Sequence, residues 1–414
     1  MKESTTEVLI IGAGPAGTVS AAILNKHQKA VRIVEKQTFP RFVIGESLLP
    51  VTMEHLERAD LLEAVKQAGF QEKHGVKFIR DGKACQFNFD EQFTDGWTWT
   101  WQLPRADFDK LLADEVEKKG VCVDYNTEVI GVEISPEVSV VTVRNGNETE
   151  RISAKHIIDC SGYGRVLPRL LNLDKPSSLP PKISFFTHLT DRKRPSDPEG
   201  SLITFIVTRQ DAWFWIIPFS NGVTSVGFVG NPDYFEGITE NSGEEFRALL
   251  ETVPGLNGRF DEEEILFDPK MIQGYSKSIE KLYGPGYVLC GNSAEFLDPV
   301  FSSGVAFATG SGTRAAEMIV QELNGETVDW ETHYEKYMRD GVSIFKSFVE
   351  GWYNGNLQKV FFTDEINPII KNQICSLLAG YVWDTNNPVV KRHDKILGLL
   401  AKVIDINAKE KTAT

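Results

Sequence analysis

The sequence is poor in the residues that staple or metallate small folds. Its five cysteines, Cys85, Cys122, Cys160, Cys290 and Cys375, are scattered through 414 residues. They form no C-x-x-C pair and no zinc spacing, so no disulfide framework or metal site is expected and the thiols read as reduced and cytosolic. Positive charge is also in the minority, with 44 Lys and Arg against 58 Asp and Glu and a formal net charge of −14. That argues against a nucleic-acid binder working by broad phosphate neutralisation, though not against local sites for small acidic ligands. No apolar run is long enough to span a bilayer. The first residues are polar and pass straight into a strand, so no signal peptide is expected and the cytoplasm is the expected location. There is no short-period repeat and no low-complexity tract. The length predicts two or three structural units with ample core.

What is present is concentrated first in residues 8–35, VLIIGAGPAGTVSAAILNKHQKAVRIVE. Val8 to Ile11 read as a buried strand. Gly12, Gly14 and Gly17 follow in G-x-G-x-x-G spacing, with Pro15 and Ala16 opening a helix and a second strand ending on Glu35. Each part suits a dinucleotide: Gly12 for the tight turn, Gly14 for close approach of a pyrophosphate, Gly17 for helix–strand packing, and Glu35 for a ribose. The helix N-terminus offers free N–H groups to phosphate.

Further along, residues 36–50 form a loop in which Lys36, Arg41, Glu46 and Ser47 could meet a flat cofactor or its phosphates, or simply face solvent. A helix is expected over 51–69. Residues 85–101 alternate, with Phe87, Phe89, Trp97, Trp99 and Trp101 on one side, and predict strands; the aromatic face is core or the lining of a substrate cavity. Residues 102–120 predict a helix, and Val129 lies on a following strand. Asp159-Cys160-Ser161-Gly162 is a strand running into a turn. The Pro/Ser-rich 176–181 marks a domain crossing. The strands after it predict an antiparallel sheet, and the chain beyond 330 is helical and aromatic-rich.

These residues together resemble the FAD-dependent halogenases, within the wider p-hydroxybenzoate-hydroxylase-like and geranylgeranyl-reductase-like flavoproteins. The GAGPAG turn with Glu35, the Asp159–Gly162 turn, and Gln102 with Arg105 in Q-x-x-R are shared across that superfamily and imply FAD. Three features narrow the resemblance. Trp213-Phe214-Trp215-Ile216-Ile217-Pro218 fits W-x-W-x-I-P, and Phe296 to Gly304 fits F-x-x-P-x-x-S-x-G with Pro299 and Ser302. Lys73, in F-x-x-K-x-G-x-x-F, falls where those enzymes have their essential lysine. Alone, Lys73 reads as a surface lysine and the two tryptophans as the core face of a strand. The family's Gly-Asp is here Gly291-Asn292, and Phe301 stands where tryptophan-directed members carry a Glu.

The resemblance implies an α/β fold, α+β overall. Its FAD-binding domain comprises residues 1–80, 102–175 and 280–325, its antiparallel substrate domain 81–101 and 176–279, and its helical region 326–414. It implies non-covalent FAD held by Gly12, Gly14, Pro15, Ala16, Gly17, Glu35, Lys36, Arg41, Glu46, Ser47, Gln102, Arg105, Val129, Gly162, Asn292, Pro299, Gly304 and Val305. No second nucleotide fingerprint is present, so a separate flavin reductase is the expected source of reduced FAD. Halide, as co-substrate, is expected near the N–H groups of Ser303 and Gly304. The hypohalous acid formed with O2 passes to Lys73, with Ser302 also in the catalytic set, while Trp213, Trp215 and Pro218 keep substrate from the flavin. With Phe301 in place of a carboxylate, the implied substrate is a phenol first and a pyrrole second, free or on a carrier protein. The competing readings are a flavin reductase, dehydrogenase or monooxygenase acting on a lipid-like or aromatic substrate, and a non-catalytic flavin-binding protein.

Overall fold

The computed structural model describes the backbone of residues 2–177, 179–364 and 366–413, with side chains through residue 410. Ser178, inside the expected crossing at 176–181, lies outside the described residues. By contacts the chain forms two compact units. The first is Met1–Gly69, Pro104–Ser178 and Ser276–Asp340; the second is Phe70–Leu103, Leu179–Tyr275 and Gly341–Thr414. Besides shifts of a few residues at other boundaries, this differs from the expected division in three places, one being residues 326–340, which go with the first unit. Residues 70–80 go with the second unit, because Gly75–Arg80 hydrogen-bonds to Ile203–Arg209. The C-terminal helices join that unit too, because their aromatic side chains cover its sheet.

The first unit is built on a parallel sheet. Lys2–Ile11 lies between Glu148–Asp159 and Val31–Val34, and Cys122–Asp124 and Tyr287–Leu289 extend the sheet on either side. Strands buried on both faces need continuous apolar runs, and Val8, Leu9 and Ile10 are fully buried here. The helix Pro15–Lys26 makes the crossover between the first two strands and packs on Ser303–Leu323, where Ser20 Oγ donates to Gly312 O at 3.0 Å. The helix expected over 51–69 is two helices, Val51–Arg58 and Leu62–Gln67. Asp60, at φ +54°, takes the left-handed conformation that ends the first, and Leu61 N–H closes back on Leu56 O.

The second unit is a seven-stranded sheet. Its order is Lys270–Gln273, Ile183–Thr190, Val223–Gly230, Ala212–Pro218, Ile203–Arg209, Gly75–Arg80 and Lys83–Asn88. It is antiparallel as expected except for the one parallel pair, Ile203–Arg209 beside Gly75–Arg80. Period-two alternation gives the sheet two apolar faces. Phe185, Phe214 and Phe228 pack under the helix Gly243–Glu251 through Phe246 and Leu250. On the other face Phe78 and Phe87 meet Trp352 and Phe361 from the C-terminal helices, at centroid distances of 4.8–5.4 Å.

Residues 92–99 are not the strand that their Trp/Thr alternation predicts. Only Thr100–Gln102 is extended and paired, against Gln71–Lys73. The polar groups before it are taken up by the C-terminal helices and turns instead. Phe93 N–H donates to Asn372 O, Thr94 N–H to Ser376 Oγ, and Trp97 N–H to Tyr381 Oη at 2.7 Å.

Candidate active site

In the first unit the Gly-rich turn has three glycines with two different reasons for being there. Gly12 sits at φ +99°, and a Cβ on it would lie 2.6 Å from Cys160 O. A Cβ on Gly17 would collide with the carbonyl of Gly12. Both are required by the chain's own packing. Gly14 is not: a Cβ there would rest 3.6 Å from Arg41 Nη2 and 3.9 Å from Asp109 Oδ2, ordinary contact distances. Its bareness leaves backbone open instead. Gly14 caps Pro15–Lys26 without any side-chain hydrogen bond, and Pro15 has no N–H, so the N–H groups that open the helix, from Ala16 onward, receive no side-chain cap from Gly14. Glu35, 6% exposed, accepts from Ala13 N–H and Gln37 N–H at 2.9 Å each, and so fixes the turn against the second strand.

A buried charge cluster stands beside this turn. Arg105 donates from Nε and Nη2 to the two oxygens of Asp109, at 2.8 and 3.0 Å, and from Nη1 to Ile44 O and Gly45 O. Arg41 lies 3.2 Å from Asp109 and 3.8 Å from Glu35. Asp109, fully buried, therefore orients both guanidinium groups. Its i,i+4 spacing from Arg105 is the sequence signal that would have found it. Glu46 and Ser47, in the same loop, are buried.

The remaining residues of this unit are distributed more widely. Lys36 is turned to solvent and pairs with Glu128 at 2.7 Å; it is not brought to the turn. Val129 pairs with Val143 on an antiparallel ladder. Gly162, at φ +57°, begins the turn after Asp159, whose buried carboxylate accepts from Ser161 N–H and Leu167 N–H. Burial pushes the Asp159 carboxyl upward. Asn292 offers its carbonyl to Arg165. Pro299–Phe301 is a single turn capped by Asp298, and Ser302 follows at φ +55°. Ser303, Gly304 and Val305 then open a 21-residue helix, Ser303–Leu323, again without a side-chain cap.

In the second unit Lys73 is no surface lysine. It is 2% exposed, with Nζ 5.4 Å from the centroid of Phe89. Desolvation lowers its pKa from 10.5 to about 7. The other aromatics expected beside it are elsewhere. Trp101 is opposite Glu72 on the ladder, hence on the face away from Lys73, and it forms an edge-to-face chain with Trp99 and Trp97. Phe87 is in the sheet core. Gln102 is fully buried, and its amide nitrogen donates to Ser201 O and Pro218 O at 2.8 and 2.9 Å. It ties the strand opposite Lys73 to the end of Ala212–Pro218. Trp213 and Trp215 share one face of that strand, and each indole is fixed: Trp213 Nε1 donates to Tyr353 Oη at 3.1 Å, Trp215 Nε1 to Ser225 Oγ at 3.0 Å. Trp215 lies across Gly227, where a Cβ would come within 2.5 Å of its ring.

The residues of the first unit fit a flavin dinucleotide. The first unit supplies a backbone left bare at Gly14, an uncapped helix start, an acid and two oriented guanidinium groups. The second unit, taken by itself, has an unbonded buried polar atom near Lys73 in the ladder. With its nitrogen fixed by two carbonyls, Gln102 presents a buried Oε1 that has no partner among the described residues and needs an N–H donor. The chain's five cysteines are all free of disulfides, and among the described residues no helix is long and apolar enough to cross a membrane.

Comparison with known proteins agrees. Residues 5–330 match an FAD binding domain family. A 1H-pyrrole-2-carbonyl-[peptidyl-carrier protein] brominase from Pseudoalteromonas luteoviolacea is 30% identical over 387 residues, 91% of this chain and 92% of its own. The crystal structure of a flavoprotein/dehydrogenase from Cytophaga hutchinsonii is 52% identical with a TM-score of 0.95, covering 98% of this chain and 100% of its own. The flavin-dependent brominase Bmp2 is 27% identical with a TM-score of 0.83, at the same coverage. An FAD-binding match over most of the chain, and a brominase aligned along nearly the whole of both proteins, make this chain a member of the FAD-dependent halogenases, a family of FAD-dependent oxidoreductases.

Proposed function

We propose that this protein halogenates an electron-rich aromatic ring, with Lys73 as the side chain that holds and delivers the halogen. The observation that carries the reading is the burial of Lys73 against Phe89, which brings its amine to about pH 7. A lysine in water is an ammonium at neutral pH and a poor nucleophile; a desolvated one is divided between amine and ammonium there, and can both bind hypohalous acid and pass a proton.

FAD would be held by the Gly12–Gly17 turn, Glu35, Arg41 and Arg105. Bound and reduced, it supplies with O2 the oxidising equivalents that turn halide into hypohalous acid. The protein's own part is positioning. The N–H groups of Ser303 and Gly304, at the start of a long helix without a side-chain cap, suit a halide ion. Trp213 and Trp215, both pinned by their indole hydrogen bonds, form a wall that stays in place while substrate is held on the lysine side.

The substrate is a ring with its own electron donor, a phenol or a pyrrole, free or carried on a carrier protein. Phe301 is buried and apolar, so it cannot stabilise the cation of an unactivated indole. The carrier is supported by the Pseudoalteromonas brominase, which acts on a carrier-bound pyrrole and matches this chain along almost its full length. The same reading places the enzyme in the cytoplasm beside a separate flavin reductase.

The test is mass spectrometry after incubation with reduced FAD, O2 and bromide. Phenols, resorcinols, carrier-bound pyrrole-2-carbonyl and free tryptophan are offered together. Bromide-dependent mass on a phenol or the pyrrole thioester is expected. Preferential bromination of tryptophan would overturn the reading of Phe301. An oxidised or reduced product with no bromine would overturn the halogenase reading itself. Lys73→Ala should abolish brominated product and leave FAD binding intact.

A further inference from the structure

We infer that Thr100 is a second hydrogen-bonding group of the Lys73 site, its hydroxyl holding the oxygen of hypohalous acid while the halogen leaves. The inference rests on the assignment of Lys73 above. Its own basis is the two-strand ladder Gln71–Lys73 with Thr100–Gln102, in which Lys73 stands directly opposite Thr100. Residues opposite each other on an antiparallel pair project to the same face, and so do residues two apart on one strand. Lys73, Thr100 and Gln102 therefore share a face, and all three are buried, at 2%, 0% and 0% exposure.

That facet is unusual in being polar and incompletely bonded. Thr100 Oγ1 is buried and has no hydrogen-bond partner among the described residues. Buried hydroxyls nearly always bond, commonly back to the backbone. This one does neither, and the valine of the same shape would fill the place without that cost. The hydroxyl thus has its use in a ligand. A hydroxyl that can both donate and accept, on the residue opposite a lysine whose buried amine lies 5.4 Å from the centroid of Phe89, suits a small neutral O–H molecule.

The transfer balances as follows. The ring carbon bonds the halogen, the O–X bond breaks, and its electron pair stays on oxygen. Lys73, as the ammonium, gives that oxygen a proton, so water leaves; the proton displaced from the ring returns to the lysine. Hypohalous acid and an aromatic C–H become water and an aromatic C–X. Charge builds on the oxygen before the proton arrives, and the hydrogen bond from Thr100 strengthens as it does.

The test compares Thr100→Val and Thr100→Ser with the wild type and Lys73→Ala in the FAD-loaded enzyme, with reduced FAD, O2, bromide and an accepted phenol. The readouts are brominated product per O2 consumed, rate of flavin oxidation, and melting temperature. Thr100→Val should lower product per O2 about tenfold, the worth of one hydrogen bond made in the transition state. Flavin oxidation should be unchanged and the melting temperature equal or higher, since an unbonded hydroxyl has been removed. Thr100→Ser should restore most of the product yield. Wild-type yield in Thr100→Val, or a serine variant no better than the valine one, would overturn the inference. So would a fall in melting temperature that accounts for the loss. If Lys73→Ala keeps full activity, the Lys73 assignment has failed as well; if only the valine variant is active, the role of Thr100 alone is wrong.

Discussion

Replacing Lys73 by methionine should stabilise the protein, and by an amount that depends on pH. The side chain keeps its length and apolar stem and loses its charge. Burial lowers the amine from 10.5 to about 7. That fall corresponds to roughly 5 kcal/mol of preference for the neutral form in the folded state. Below about pH 7 both folded and unfolded chains carry the ammonium, and the folded state bears the whole cost of burying it. Between about pH 7 and pH 10.5 only the unfolded chain takes up the proton, so stability rises with pH across that window; above it the cost is gone. The methionine variant has no such dependence. Its advantage over wild type should therefore be at its plateau below about pH 7 and shrink by about 3 kcal/mol on going from pH 7 to about pH 9.5. Urea unfolding of both proteins at the two pH values, followed by tryptophan fluorescence, measures it. An advantage that is the same at both, or no advantage at neutral pH, would mean that Lys73 keeps its charge inside the protein. The argument from desolvation would then be wrong.

Two further substitutions probe the rest of the site. Gly14→Ala should fold normally, because the chain leaves room for a Cβ there, yet lose most of its FAD, whereas Gly17→Ala should be poorly folded, because its Cβ meets the Gly12 carbonyl; flavin absorbance and circular dichroism of the two variants separate the cases. Trp213→Phe should cost about 1 kcal/mol by leaving Tyr353 Oη without its indole donor, and a Trp213→Phe/Tyr353→Phe double variant should recover part of that loss in thermal unfolding.

Much of this was legible in the sequence where the determinants are local. The Gly12–Gly17 turn, its strands and Glu35 lie within 28 residues, and short-range spacing carries their geometry. The parallel pairing of Ile203–Arg209 with Gly75–Arg80 was not legible, since nothing in either segment marks a partner so far away in the chain. The alternation through Trp97 and Trp101 misled for a related reason. Period two is necessary for a strand and insufficient, because a strand also needs a neighbouring backbone; here Asn372, Ser376 and Tyr381 supplied the hydrogen bonds first. For the site, motif spacing pointed to Lys73, whereas its burial, and Thr100 as its opposite number, depend on the register of a three-residue ladder.

That ladder explains why the site is arranged as it is. One face of Thr100–Gln102 carries an orphan hydroxyl and an orphan amide oxygen, each costing about 1–3 kcal/mol when unbonded, and opposite Thr100 stands Lys73 with its desolvated amine. A strand pair of three residues a side cannot offset such costs by its own hydrogen bonds. It is held instead from outside the ladder: Gln102 by the carbonyls of Ser201 and Pro218, and Phe89 by its N–H bond to His74 O at 2.8 Å. Both anchors run into the seven-stranded sheet, whose two apolar faces supply the stability that the polar facet lacks. Site and scaffold are thus separated in kind. The sheet tolerates conservative changes of volume, while an apolar residue in place of Lys73 or Thr100 should make the facet more stable and less able to hold a halogenating oxidant; Gln102 is different, because its amide is one of the anchors.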